Sequence, residues 1–586
     1  MPAATQDSPL DPAAALTARV QQAMAAAFGP EYAAADPVIR PSQFADFQAN
    51  AALPLAKRLG RKPRDIATAI AGQLQVEDIC REVEISGPGF LNLTLRDDWI
   101  GLQADRQLAD ARLGVPTPTP QRIPIDYSAP NVAKEMHVGH LRTTVVGDSL
   151  ARTLGHLGHT VIRQNHIGDW GTPFGMLIEH LLEVGEDSAD AALLATDPNA
   201  FYQAAREKFD GGGDFADRAR LRVVSLQGGD ADTLTIWTDL VDLSKGYFNR
   251  IYAQLGVTLT DADLMGESRY NDVLADICDE LEAKGLAVVS EGALCVFLEG
   301  FTGREGKPVP LIIRKSDGGY GYGTTDLATI KYRAQQLHAD RIAYVIGSPQ
   351  HLHLQMVFTT ARLAGWLGGT EPIHVQIGNV LGSDGKILRT RSGAPVRLGA
   401  LLDEAVERAS AVVDTARPEL DPAVRAEIAQ AVGIGAVKYA DLSVAHDTEY
   451  TFDFDRMLAL SGNTGPYLQY AAARIRSILR RAAEQGVAAE PGTAILIDEK
   501  AERALGLGLL GFGATVEEVG ELLEPHRLCA YLFRLAQTFT AFYDACPVLK
   551  AEDPQVRASR LQLCALTLAV LVQGLDLLGV TSPEQM

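Results

Sequence analysis

Cysteine is scarce in this chain of 586 residues, and the few cysteines present are far apart. Six occur between Cys80 and Cys564, and none forms a C-x-x-C pair. The sequence therefore predicts neither a zinc ribbon nor a disulfide framework, and we expect no structural metal. Isolated cysteines are typical of a reduced, cytoplasmic protein.

Other features are missing as well. No run of 18 or more apolar residues occurs, although 47% of the residues are hydrophobic, so we expect no membrane span. The first twenty residues, MPAATQDSPLDPAAALTARV, hold no basic stretch followed by an apolar core, so we expect no secretory signal. Internal repeats are absent too. The length then predicts several globular domains, roughly three to five at about 150 residues each.

An excess of positive charge is also missing. The chain has 53 Lys and Arg against 74 Asp and Glu, which gives a formal charge of −21. This balance opposes binding of nucleic acid through bulk electrostatics, because contacts to phosphate need Lys and Arg. Salt screens charges beyond about 8 Å, so a local basic surface on an acidic body can still act.

The order of predicted elements divides the chain. Residues 1–118 read as helices followed by a strand pair, VEISGPGFLNLTLRD, and end in the linker GVPTPTPQ. Residues 119–400 alternate strands and helices, which predicts an α/β domain with a parallel sheet, with a mainly helical insertion at about 175–260. The chain is helical from about 401 onward. The fold class predicted is α/β with an α+β N-terminal domain and an all-α C-terminal part.

The stretch SAPNVAKEMHVGHLRTT, residues 128–144, lies between a predicted strand and a predicted helix and contains His137 and His140. Ligands of open α/β sheets bind at such strand ends, and helix N-termini favour phosphate. Gly139 lets a flat group such as adenine approach the backbone. Two imidazole donors and the cation of Lys134 could stabilise a triphosphate. A surface pair and a zinc half-site are the alternatives for the two histidines alone.

This stretch resembles the HIGH-type signature of class I aminoacyl-tRNA synthetases, in the form found in arginyl-tRNA synthetases of the bacterial type. The resemblance implies a Rossmann-type catalytic domain and the ATP-dependent joining of arginine to the 3′-terminal adenosine of its tRNA, through arginyl-adenylate. It also implies ATP with Mg²⁺ as the substrate complex, no tightly bound cofactor, no membrane partner, a cytoplasmic location and a monomer. Further blocks similar to the family occur in its order: NHIGDWGTPFGMLI (165–178), HLHLQMVF (351–358), TRSGAPVRL (390–398) and NTGPYLQYAAARIRSIL (463–479).

The resemblance assigns catalysis to the histidine stretch. It implies that His137 and His140 contact the ATP phosphates and support formation of the adenylate, with Lys134 as a fixed cation. Gly139 and Val380 are the further ATP contacts that it implies. Displacement at a phosphate needs charge neutralisation and alignment rather than a covalent nucleophile.

The second class I signature, Lys-Met-Ser-Lys-Ser, is missing. Residues 389–392, Arg-Thr-Arg-Ser, occupy its place in LGSDGKILRTRSGAPVRL. Arginyl members often lack the standard form, and Lys134 is thought to supply the missing charge. Lys386 and Arg391 are weaker ATP-binding candidates, and an ordinary basic surface loop is the alternative for this segment.

An arginine site needs a carboxylate that accepts two guanidinium donors, and a polar tip that leaves lysine poorly matched. Tyr322 and Asp326, four residues apart in GYGYGTTDLATIKYRA, match the positions that read the guanidinium in the family. Glu267 is a candidate second acid. A first-turn acid, a packed tyrosine and a solvated carboxylate are the alternatives. The resemblance adds Asp126 and Asn131 as contacts of the amino group, and Gln355 as a further substrate contact.

Binding of tRNA is implied at both ends of the chain. YLQYAAARIRSILRR interleaves Tyr467 and Tyr470 with arginines that include Arg474, so aromatic rings could stack on bases while arginines hold phosphates. The family places a helical anticodon-binding domain here, at 465–586, after a connecting region at 401–464. FADFQAN resembles the part of its N-terminal domain that touches the tRNA corner. The candidates there are Phe47, Gln48 and Asn50.

Three functions other than arginine–tRNA ligation are alternatives for this sequence. A nucleotidyl transferase that joins AMP to a small acid without tRNA would not need the N-terminal block or the helical C-terminal part. A catalytically dead tRNA-binding paralogue would not need His137, His140 and Lys134. A synthetase for another amino acid would not need Tyr322 and Asp326.

Overall fold

The N-terminal part is a layer of helices on an antiparallel sheet. The structure, a computed structural model, describes residues 10–185, 187–303, 306–390, 395–487 and 493–586. The sheet has the strand order β1–β2–β4–β3, and the predicted strand pair around Gly-Pro-Gly forms β3 and β4. The elements are α1 (Pro12–Phe28), β1 (Ile39–Pro41), β2 (Phe47–Ala49), α2 (Ala52–Leu59), α3 (Pro63–Ala71), β3 (Cys80–Ser86), β4 (Phe90–Leu95) and α4 (Asp97–Ala109).

The central part contains the predicted parallel sheet. Its described strands lie in the order β11–β10–β5–β6, and every neighbouring pair is parallel. Apolar runs such as IPI and IAYVI form β5 and β10, as expected for strands covered on both faces. The elements that build the sheet and its crossovers are β5 (Arg122–Asp126), α5 (Val138–His156), β6 (Thr160–Gln164), then, after the insertion, α12 (Tyr322–Gln335), β10 (Arg341–Gly347), α13 (His351–Leu363), β11 (Glu371–Ile377) and β12 (Val380–Leu381).

The chain between β6 and α12 is helical at first and then forms a second sheet. The stretches ALCVFLEG and PVPLIIRKSDG form strands that do not join the parallel sheet but pair antiparallel in the order β7–β8–β9. The elements are α6 (Thr172–Val184), α7 (Leu193–Thr196), α8 (Pro198–Asp210), α9 (Gly213–Gln227), α10 (Ala231–Leu255), α11 (Leu274–Ala283), β7 (Ala287–Ser290), β8 (Ala293–Thr302) and β9 (Pro308–Arg314).

The C-terminal part is helical, apart from the two-residue strand β13, which pairs with β12. Among the described residues, α21 is the one helix long and apolar enough to cross a membrane, and 67% of its apolar window is buried inside the protein, as in a core helix. The elements are α14 (Leu398–Ala416), α15 (Pro422–Leu442), β13 (Tyr450–Thr451), α16 (Phe454–Met457), α17 (Gly465–Glu484), α18 (Lys500–Leu510), α19 (Phe512–Leu522), α20 (His526–Ala545) and α21 (Pro554–Leu577).

A buried ion pair joins α5 to the C-terminal helices. The Nε of Arg142 lies 2.6 Å from Oδ1 of Asp441 on α15, and the two side chains are 1% and 0% exposed. The same guanidinium donates to the carbonyl of Thr448 at 2.7 Å. The pair fixes the helix that follows the histidines against α15, because an unpaired buried charge is costly.

We expect Asp441→Asn to destabilise the protein strongly, by about 3–5 kcal/mol, because the Arg142 guanidinium would stay buried without a counter-charge. A shift in the urea midpoint of unfolding measures this loss. Asp210→Asn is the matched control, since Asp210 pairs with Arg206 on the surface of α8 and its loss should leave the midpoint unchanged. Equal midpoints for both variants would contradict the importance of the buried pair.

Candidate active site

The loop between β5 and α5 holds several residues in a strained conformation. Ser128, Ala129 and Ala133 have φ of 72°, 46° and 57°, a region that residues with a side chain rarely adopt. Hydrogen bonds hold the loop, since the Ala129 amide donates to Oδ1 of Asn165 at 3.0 Å and the Ala133 amide donates to Oγ of Ser244 at 2.9 Å. Such strain clusters at functional sites, where the surrounding structure maintains it.

The two histidines cap α5. His137 is the N-cap residue, and its Nδ1 accepts from the Gly139 amide at 3.1 Å. In return, Nδ1 of His140 accepts from the His137 amide at 3.1 Å. Because both Nδ1 atoms accept, both neutral rings carry their proton on Nε2, which leaves two N–H donors for a ligand. The sequence pattern did not indicate this capping box, since Ser, Thr, Asp and Asn are the usual caps.

Burial keeps both rings neutral at physiological pH. It lowers the pKa of His140 to about 3, assisted by the nearby His137 and Lys134. The pKa of His137 is lowered by burial and then by Lys134. Gly139 also leaves room for the capping ring, because a Cβ at this position would lie 2.8 Å from Cε1 of His137.

Two small clefts meet at His137. One, of about 360 Å³, is lined by Lys134, His140 and Asn131 among others. The other, of about 310 Å³, is lined by Gly139 and Val380. The structure therefore brings together the predicted ATP-binding residues of the histidine stretch and Val380.

The basic loop after β12 was predicted to contact ATP through Lys386 and Arg391, and the structure places another of its residues at a cleft. Arg389 lines the cleft that contains Gly139 and Val380. Lys386 lies on an exposed turn and is not among the residues that line either cleft. Arg391 lies outside the described residues.

A larger groove, of about 1100 Å³, opens on the other side of Lys134, between α10 and α14. Charges of both signs line it, such as Asp242, Arg250 and Asp403. Phosphate chemistry fits the histidine clefts better, because the neutral N–H donors lie there and not in the groove.

The predicted arginine-binding acids share one electrostatic environment. Burial, together with the nearby carboxylates of Asp326 and Asp169, raises the pKa of Glu267 to about 8. Asp326 lies 2.6 Å from Nε2 of His353 on α13. Tyr322 is largely exposed at the first turn of α12, one turn before Asp326. A cation bound here would relieve the repulsion among the acids.

Two further predicted substrate contacts are Asp126 and Gln355. Asp126 is 3% exposed, and its Oδ2 accepts from the buried guanidinium of Arg333 at 2.8 Å, which links β5 to α12. Gln355 is half-buried on α13, two residues after His353. Residues two apart on a helix face different directions, so Gln355 and His353 lie on different faces of α13.

The predicted tRNA contacts of the N-terminal part are mostly engaged within the protein. Phe47 packs against the core, and Nε2 of Gln48 donates to Oδ1 of Asn92 at 2.8 Å. Asn50 is half-buried after β2. Phe44 is 84% exposed, which makes it the aromatic ring best placed to stack on a base. The sequence pattern did not distinguish it from Phe47.

The predicted tRNA contacts on helix α17 differ in their exposure to solvent. Tyr470 is 45% exposed, whereas Tyr467 packs edge-on against Phe533 with ring centroids 5.6 Å apart. The guanidinium of Arg474 lies over the ring of Tyr543 at 4.7 Å. Tyr470 is therefore the most accessible of the three residues.

Comparison with known proteins gives consistent findings across the chain. Family models described as the catalytic domain of class I (R) tRNA synthetases, the DALR anticodon binding domain and the arginyl tRNA synthetase N-terminal domain match residues 104–454, 468–586 and 14–95. The chain is 75% identical over 576 residues to an arginine–tRNA ligase of Thermobifida fusca, covering 98% of this chain and 100% of the relative. It is 53% identical over 567 residues to that of Frankia casuarinae, covering 95% and 96%.

Solved structures agree in fold. Arginyl-tRNA synthetase from Plasmodium falciparum matches with a TM-score of 0.82 and 28% identity, over 97% of this chain and 98% of the other. Arginyl-tRNA synthetase from Thermus thermophilus matches with a TM-score of 0.79 and 24% identity, over 97% and 100%. The likeness extends over nearly the full length.

We expect His140 to remain neutral, with its proton on Nε2, at every pH from 5 to 8, because burial lowers its pKa to about 3. NMR of protein labelled with ¹⁵N-histidine reports the tautomer, and loss of one signal in His140→Asn assigns it. Titration of this ring near pH 6.5 would contradict the capping geometry.

Proposed function

The chain belongs to the arginyl-tRNA synthetases of class I, and on that premise we propose how its residues share the reaction. It joins arginine to tRNA in an ATP-dependent reaction. One observation supports this assignment of roles most strongly. Two neutral histidines cap α5 beside a cleft, and a cluster of acids with too few cations to neutralise it lies close by. We assign residues 1–118 to tRNA corner contact, 119–400 to catalysis with the insertion at about 175–260, 401–464 to connection, and 465–586 to the anticodon.

ATP, as its Mg²⁺ complex, is the substrate of the first step. His137 and His140 donate their Nε2–H groups to phosphate oxygens, and Lys134 supplies positive charge. The carboxylate of arginine attacks the α-phosphorus, a P–O bond to the β-phosphate breaks, and pyrophosphate leaves with its electron pair. Donors placed in advance of the reaction stabilise the charge that develops. Gly139, Val380 and Arg389 form the wall of the nucleotide cleft, and Lys386 and Arg391 are the further candidates for contact with ATP.

Recognition of arginine depends on the acid cluster. Asp326, held by His353, and Glu267 accept hydrogen bonds from the guanidinium, and Tyr322 closes the site from the surface. Lysine is rejected because its ammonium cannot satisfy acceptors arranged for a planar fork. Asn131, which lines the cleft with Lys134, contacts the amino group. Asp126, whose carboxylate also pairs with Arg333, is the further proposed contact of the amino group, and Gln355 is a further proposed contact of the substrate.

We infer that tRNA contacts α17 through Tyr470, with Tyr467 and Arg474 as support, and the N-terminal sheet through Phe44, with Phe47, Gln48 and Asn50 beneath it. The enzyme acts as a monomer in the cytoplasm. The buried and unpaired state of all six cysteines supports a reducing compartment.

Exchange of pyrophosphate into ATP tests this assignment. A panel of amino acids is assayed with and without tRNA, and we expect arginine to be the amino acid that supports exchange. His140→Asn keeps an acceptor at the Nδ1 position but loses the Nε2–H donor, so the exchange rate should fall by a factor of about 10² or more. His156→Asn, at the other end of α5, is the control and should behave as the parent. A wild-type rate in folded His140→Asn would reduce the histidine to a structural role.

We expect the KM for arginine to fall as pH rises from about 7 to about 9 and then to level off. Glu267, with a pKa of about 8, is protonated below this range and gains the negative charge that attracts a guanidinium as it ionises. Glu267→Gln should raise the KM and abolish this dependence. Glu517, whose pKa is also raised by burial but which lies on α19, gives the control Glu517→Gln. An unchanged pH profile in Glu267→Gln would remove Glu267 from the site.

A further inference from the structure

Helix α8 of the insertion is held against the histidine loop. Oδ1 of Asn199 accepts from the Glu135 amide at 3.1 Å, while Nδ2 of Asn199 donates to the Glu135 carboxylate at 2.9 Å. Asp197, the N-cap of α8, pairs with Arg397 at 3.0 Å. These contacts set the position of the first turn of α8 relative to the residues just before His137.

The next turn of α8 brings an aromatic ring to Lys134. Tyr202 follows Asn199 by three residues, so both face the same side of the helix. The ammonium of Lys134 lies 4.1 Å from the centroid of the Tyr202 ring. In the part of the chain that the structure describes, Lys134 forms no ion pair, and the neighbouring carboxylate of Glu135 is occupied by Arg397 at 2.9 Å.

A ring is a suitable partner for a cation that must later meet phosphate. It attracts the ammonium through its quadrupole but does not neutralise it, as a carboxylate would. The attraction is modest, so it yields to a triphosphate, and the three N–H donors are not consumed by acceptor atoms. The ring also restricts a long, flexible side chain, which lowers the entropy lost when the ligand binds.

We propose that Tyr202 is a positioning residue that holds the ammonium of Lys134 beside the cleft of His137 and His140 before ATP binds. The inference rests on the proposed role of Lys134 toward ATP. It gives the helical insertion a part in the first chemical step, through a residue that no sequence motif identified.

Removal of the Tyr202 ring should lower kcat/KM for ATP. In Tyr202→Leu, we expect kcat/KM for ATP in arginine-dependent exchange, assayed with tRNA present, to fall about tenfold, equivalent to about 1.4 kcal/mol. The KM for arginine should change less than twofold. Tyr202→Phe keeps the ring and should retain activity within about twofold. Equal losses in the Leu and Phe variants, or no loss in either, would overturn the proposal.

A matched control separates positioning from stability of the helix. Phe209 lies on the same helix and has Arg220 over its ring at 5.4 Å. Phe209→Leu removes a comparable aromatic contact away from Lys134 and should leave the kinetics of ATP unchanged. A tenfold loss in Phe209→Leu would attribute the effect to α8 as a whole and overturn the proposal.

A double-mutant cycle tests whether the ring acts through the cation. In Lys134→Ala, assayed at high enzyme concentration, adding Tyr202→Leu should cause no further loss. A further tenfold loss would show that the ring acts by another route and would overturn the inference alone. Near-normal ATP kinetics in Lys134→Ala would instead overturn the proposed role of Lys134, and the role of Tyr202 with it.

Discussion

The N-terminus of α5 is the point on which the active site depends. Its free amides are satisfied by the imidazoles of His137 and His140, and the same hydrogen bonds decide which ring nitrogens carry protons. The helix cap and the proposed catalytic donors are therefore formed by the same two side chains. Its position is maintained by the buried pair of Arg142 and Asp441 on one side and by hydrogen bonds from the insertion on the other.

The two halves of the site are electrostatically opposite and each is incomplete. Lys134 meets a ring rather than a carboxylate, and Glu267 meets other acids rather than a cation, so burial and repulsion raise its pKa to about 8. Glu267 is therefore largely protonated at neutral pH when no cation is bound. In the proposed mechanism, a triphosphate pairs with the ammonium of Lys134, and a guanidinium favours the ionised form of Glu267, so each substrate supplies the missing opposite charge.

A net charge of −21 does not conflict with binding of tRNA. Single-stranded bases are recognised through stacking and shape as well as charge. The exposed rings of Phe44 and Tyr470 suit such contacts. Several arginines that the sequence offers for contact with phosphate instead form contacts inside the protein. Arg476 on α17, for example, donates to the carbonyl of Pro583 near the C-terminus.

The sequence by itself determined the parallel sheet, the antiparallel pair around Gly-Pro-Gly and the helical C-terminal part, because periodicity and turn residues act over short distances. It also determined which residues lie in the loop that precedes α5. Only the tertiary structure decided that Asp126 is occupied by Arg333, that Asp326 is held by His353 and that Lys134 rests on Tyr202. Each of these partners lies at least 27 residues away along the chain. Local pattern does not identify such partners, because they meet only when helices pack against the sheet.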